Sequence, residues 1–125
     1  MNGNQDKKEN VIVERSFRFA LNIVEYAERL ESERKYVIQR QVLRSGTAIG
    51  ANVREAQSAE SIKDFVHKMK IAAKEAEETE YWLLICQHST NYPDCTDLLN
   101  DIREIIKILT SIIYSTNKKI KANNN

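Results

Sequence analysis

The sequence predicts an all-α fold, an antiparallel up-down-up-down four-helix bundle. Three observations lead there. Apolar residues recur at spacings of three and four through four long segments. The chain holds only 3 Gly and 1 Pro in 125 residues, too few turn-formers for a β-rich architecture. The gaps between the periodic segments are short, which favours antiparallel packing of consecutive helices. A chain of 125 residues suits one domain with a core of its own.

Residues 1–10 are polar and read as a flexible segment ahead of the bundle. The first helix is expected over about residues 11–30, with Val13, Phe17, Ala20, Val24 and Ala27 forming its core face. The second is expected over about 33–57, seamed by Ile38, Val42, Ser45, Ile49, Val53 and Ala56. The third, over about 61–90, has the cleanest seam: Ile62, Phe65, Met69, Ala72, Ala76, Thr79, Leu83 and Cys86. The fourth, over about 96–119, runs on Leu98, Ile102, Ile105, Leu109 and Ile112, and residues 120–125 read as a flexible tail.

The breaks have physical causes. Ser58 and Ser61 are candidate N-caps, and Asp64 stands three residues after Ser61, as in a variant capping box. Asn91, Tyr92 and Pro93 close the third helix, because proline cannot continue one. Asp94 or Thr96 caps the fourth, and Lys118, Lys119 and Lys121 suit the negative end of its dipole. Gly46 and Gly50 fall inside the second helix, each at a cost of about 1 kcal/mol relative to Ala. They mark a close approach, either of another helix of the same bundle or of a subunit or ligand.

More apolar surface is present than one seam uses. The first helix carries a second row, Ile12, Phe19, Ile23, Tyr26 and Leu30, turned by about 110° from the first. The fourth adds Leu99, Ile106 and Ile113, and the third adds Tyr81, Leu84 and Ile85. These surplus faces predict a homo-oligomer with Ile12, Phe19, Ile23, Tyr26, Tyr81 and Ile85 at its interface.

The formal net charge is +1, so no partner class follows from the total. Local faces are more informative. Arg40, Arg44 and Arg54 fall within an arc of about 80° opposite the apolar seam of the second helix. Lys63, His67, Lys70 and Lys74 form an outer row on the third. Arg40, Arg44, Arg54, Lys63, Lys70 and Lys74 are therefore the candidate phosphate contacts. No aromatic platform interleaves them, which points to backbone and shape recognition of structured RNA or DNA. The other reading of the same rows is a solvated charged face on a protein-protein scaffold.

No catalytic or metal constellation emerges. His67 and His88 are the only histidines and lack the paired Glu-x-x-His pattern of di-iron bundles. Glu75, Glu77, Glu78 and Glu80 read as a salt-bridged helix surface. No phosphate loop is present, since Gly46 and Gly50 follow no strand. No enzyme activity, cofactor or metal is expected. Cys86 and Cys95 are not spaced as a redox pair and read as reduced thiols of a cytoplasmic protein. Residues 1–10 lack the apolar stretch of a secretory signal. The longest apolar run, residues 81–86, is far short of the ~20 residues that cross a membrane.

The stretch Gln41-Val42-Leu43-Arg44-Ser45-Gly46-Thr47-Ala48-Ile49-Gly50-Ala51-Asn52-Val53-Arg54-Glu55-Ala56 resembles the signature of a bacterial four-helix-bundle family, the ribosomal RNA intervening-sequence proteins. Lys63-Asp64-Phe65, and then Ile71-Ala72 through Lys74-Glu75-Ala76 to Glu78-Thr79-Glu80-Tyr81-Trp82-Leu83, is similar to its continuation. The chain departs from it at Arg54 and Ala56, where the family commonly has Ala and Gly. The resemblance implies a ring-like homopentamer with no assigned chemistry. It also implies kinship with the accessory variability determinant of diversity-generating retroelements, which works with a reverse transcriptase and its RNA. On that likeness a partner enzyme is expected, and Asn52 and Glu55 are structural or interface positions.

Overall fold

The structure is a computed structural model that describes residues 3–123. It contains four helices, α1 (Gly3–Ser32), α2 (Tyr36–Ala56), α3 (Ile62–His88) and α4 (Thr96–Asn123). Each packs on its neighbours in sequence, and α1 closes the ring against α4, with no diagonal pairing among the described residues. The senses alternate. Gly46 of α2 sits by Ile23 of α1 while the later Gly50 sits by the earlier Ser16, so these two helices run antiparallel. No described helix is long and apolar enough to cross a membrane.

Two helices extend beyond the expected limits. Helix α1 begins at Gly3 rather than near residue 11, and α4 continues to Asn123 rather than ending near 119. Both extensions are polar. Periodicity marks where a helix is buried, whereas Gln, Lys and Glu sustain helical backbone without burial. Residues 1, 2, 124 and 125 of the expected flexible ends lie outside the described residues.

The turns follow local chemistry. At the α1–α2 turn the Lys35 N–H reaches back to the Leu30 carbonyl at 2.9 Å, and Arg34 takes a left-handed φ of 63°. Ser61 caps α3, its hydroxyl accepting from the Asp64 N–H at 3.0 Å, while the Asp64 carboxylate accepts from the Glu60 N–H at 3.1 Å. In the α3–α4 connection Asn91 is left-handed at φ 65°, a conformation Asn tolerates. Gln87 holds this segment, its Oε1 accepting from the Cys95 N–H at 2.7 Å and its Nε2 donating to Asp94 at 2.8 Å. The Tyr26 hydroxyl donates to the Pro93 carbonyl at 2.7 Å, tying α1 to the same connection.

The expected seams of α2 and α4 are buried throughout, and that of α3 from Met69 onward, with Ile62 exposed at its start. Helix α1 is turned the other way. Its core row is Ile12, Ser16, Phe19, Ile23, Tyr26 and Leu30, while Phe17, Leu21 and Val24 are 54%, 55% and 40% exposed. This corrects the expected interface: Ile12, Phe19, Ile23 and Tyr26 fill the core of their own chain and offer nothing to a second one. The true row has perfect four-three spacing but is interrupted by Ser16. That serine is fully satisfied inside, its hydroxyl donating to the Ile12 carbonyl at 2.6 Å. Leu99 of the surplus rows is buried too, whereas Tyr81 is exposed and Ile85 half-buried.

The glycines serve the α1–α2 seam. A Cβ on Gly46 would stand 2.8 Å from Ile23 Cγ2, and one on Gly50 would stand 3.3 Å from the Ser16 carbonyl oxygen. The close approach is therefore between helices of one bundle.

Candidate nucleic-acid interface

All six candidate phosphate contacts are exposed, but they do not form one stripe. Arg44 is drawn across the α2–α3 seam. Its Nη1 meets Glu75 Oε2 at 3.1 Å and its Nη2 pairs with Glu78. Its charge is neutralised within the chain, which removes it from the candidate set. Of the helix-three carboxylates, Glu75 and Glu78 are held by this pairing and Glu80 by Arg103 Nε at 2.9 Å.

The remaining five divide by position. Arg40 lies toward the end of the bundle that holds the α1–α2 and α3–α4 connections. Lys63 and Lys70 line a groove of roughly 290 Å³ between α3 and α4, with Val66, His67, Asn117 and Ile120. Arg54 stands at the far side of the α2–α3 turn, in an open depression with Ser58, Asp64 and Lys68. Lys74 is one turn beyond Lys70 along α3.

This arrangement exposes a polarity hidden by the net charge. At one end of the bundle, beside the start of α1, residues 54–70 and the last turns of α4, residues 118–123, carry seven lysines and arginines against three carboxylates, Glu55, Glu60 and Asp64. The opposite end, residues 25–40 and 88–101, carries four against seven. Among the described residues the ion-paired cations are Arg15, Arg18, Arg29, Arg44 and Arg103, none of them at the basic end. The lysines of α4 belong to this end and were read from sequence only as dipole partners. Lys118 also lies 5.7 Å from the centre of the Tyr114 ring.

A second surface lies beside it. Val13, Phe17 and Ala20 of α1 and Thr47, Gly50, Ala51 and Arg54 of α2 line a groove of roughly 300 Å³. Leu21 and Val24 continue the apolar row along α1. This is the face that sequence reasoning assigned to the core.

The buried titratable groups sit elsewhere. Cys86 and Cys95 are free thiols packed with Tyr26 beneath the α3–α4 connection. Burial pushes Cys86 up to about 11 and raises Cys95, and burial followed by the two adjacent thiols raises Tyr26. A raised thiol is a poor nucleophile and a poor metal ligand at neutral pH. Among the described residues no group of three or more His, Cys, Asp or Glu could hold a metal ion.

The sequence profile described as 23S rRNA-intervening sequence protein matches residues 8–111. Among solved structures the chain is similar to a protein of unknown function from the S23 ribosomal protein family of Bacteroides thetaiotaomicron. The two share 47% identity and a TM-score of 0.79, over 86% of this chain and 98% of the other. No curated protein matches.

Proposed function

The chain belongs to the 23S rRNA-intervening sequence protein family, a family of unknown function, and from that premise we propose that it is a non-enzymatic bundle that binds the phosphate backbone of structured RNA or DNA with its basic end. One observation carries this reading: seven cations gather on three of the helix termini at one end, and none of them is paired to a carboxylate among the described residues. Unpaired cations at fixed spacing on rigid helices, five of the seven exposed, release counterions from a phosphate backbone without first breaking an internal ion pair. Base stacking forms no part of this mode, because no Phe, Tyr or Trp lines the groove of Lys63, His67 and Lys70.

The working form is a cytoplasmic homo-oligomer, a pentamer as the family resemblance suggests, joined through the exposed row of Phe17, Leu21 and Val24. Copies set side by side with parallel axes bring their basic ends to one rim, a larger and more continuous phosphate site. Such a rim can hold nucleic acid for a partner enzyme, a reverse transcriptase being one example. The same apolar row favours a second reading, a protein-protein scaffold with no nucleic-acid role.

Binding of an RNA duplex and a DNA duplex across a salt series, with mass followed by light scattering, separates the two. Affinity that falls steeply with salt, and that is lost in Lys63→Glu/Lys70→Glu but kept in Arg40→Glu, supports the basic end. An oligomer that ignores both duplexes at low salt leaves the scaffold.

A further inference from the structure

We propose that His67 makes phosphate binding in the α3–α4 groove proton-dependent, so that one site binds nucleic acid weakly above neutral pH and more tightly below it. The inference rests on the nucleic-acid reading and adds its regulation. His67 stands four residues after Lys63 and three before Lys70, spacings that put all three heads on one strip of α3. All three line the groove of roughly 290 Å³, are exposed, and have no ion-pair partner among the described residues.

The surroundings leave room for one more positive charge only when an anion is present. From α3 the imidazole is flanked by Lys63 and Lys70, with Asp64 one turn back. That carboxylate already accepts the Glu60 N–H at 3.1 Å. From α4 the groove receives the neutral amide of Asn117 and the side chain of Ile120, and Lys118, Lys119 and Lys121 follow in the last turns. No carboxylate lines the groove. A neutral imidazole offers one N–H and no charge, whereas a protonated one offers two N–H groups and a full charge. A bound phosphodiester favours the protonated form. By linkage, affinity then rises as pH falls.

The experiment measures the affinity of the full chain for a short RNA duplex with 5′-hydroxyl ends at about pH 6 and about pH 8, each across a salt series. A DNA duplex serves as a second arm. The wild type is expected to bind about three- to tenfold more tightly at the lower pH, with a log K against log salt slope steeper by about one. His67→Gln is expected to bind at both values with the weaker affinity and the shallower slope. His88→Gln, at the other end of the bundle, is expected to behave as the wild type. Retention of the full pH effect in His67→Gln, or its loss in His88→Gln, overturns the inference and leaves the basic end standing. Absence of binding by the wild type at both values overturns the inference and the nucleic-acid reading together.

Discussion

Gly46 and Ile23 share a space that admits no further carbon, since a Cβ on the glycine would lie 2.8 Å from the isoleucine Cγ2. Ile23 is fully buried and β-branched, so it cannot swing aside. Helix propensity alone favours Gly46→Ala by about 1 kcal/mol, but overpacking costs about 1–3 kcal/mol. Gly46→Ala is expected to lower stability, and Gly46→Val to lower it further. Ile23→Val keeps both γ-carbons that the new Cβ meets and removes only the Cδ1 at 3.1 Å, so it should restore little of the loss in the alanine variant. Urea unfolding of the four proteins checks the order.

Across the α2–α3 seam the hydroxyls of Ser45 and Thr79 lie 2.9 Å apart, both buried. Ser45 donates to the Gln41 carbonyl at 2.9 Å, so it keeps a partner when Thr79 is changed. Thr79→Val preserves shape and is expected to cost about 0.5–1.5 kcal/mol, the net worth of one hydrogen bond. A loss well beyond that range in thermal unfolding would mean that the pair fixes the helix register as well.

Asp94 accepts from Gln87 and Thr96, and these hydrogen bonds hold its carboxyl below the usual carboxylate value. The folded form therefore binds its proton less readily than the unfolded chain. The stabilisation is complete above the unfolded value near 4 and is lost as pH falls through the lowered one. In Gln87→Ala the carboxyl titration, followed by NMR, is expected to move upward, and the α3–α4 connection to exchange its amides faster. An unmoved Asp94 would show that Thr96 alone sets its acidity.

Phe17→Ser/Leu21→Ser changes two exposed side chains that contribute little to the single bundle. Its helical signal and unfolding midpoint should stay within about 0.5 kcal/mol of the parent in a monomeric background. Its mass by light scattering should fall to that of one chain. An unchanged mass would place the subunit contact elsewhere.

Most of the fold was legible because α2, α3 and α4 each keep one long core row, broken only by Ser45 in α2 and Thr79 in α3. Helix α1 misled because it carries two apolar rows about 110° apart and because its core row contains Ser16. A polar residue whose hydroxyl is satisfied by its own helix looks from sequence like a surface position. Arg44 misled for a different reason: its partners Glu75 and Glu78 lie 31 and 34 residues away and come near only through the antiparallel seam. The basic end escaped notice because three stretches distant in sequence build it, and a total of +1 averages it against the acidic end.

The cyclic order of the helices bears on how the chain finds its structure. Three of the four seams join helices adjacent in sequence, through connections of three, five and seven residues. Each such hairpin closes a small loop and can form early. Among the described residues the α1–α4 seam is the thinnest and the only one that joins the first helix to the last. Low contact order of this kind predicts folding in the microsecond to millisecond range, with α2 and α3 in the nucleus and closure of α4 on α1 as the last event. Substitutions at the Thr79 seam between α2 and α3 would then slow folding, whereas changes along the α1–α4 seam would chiefly speed unfolding.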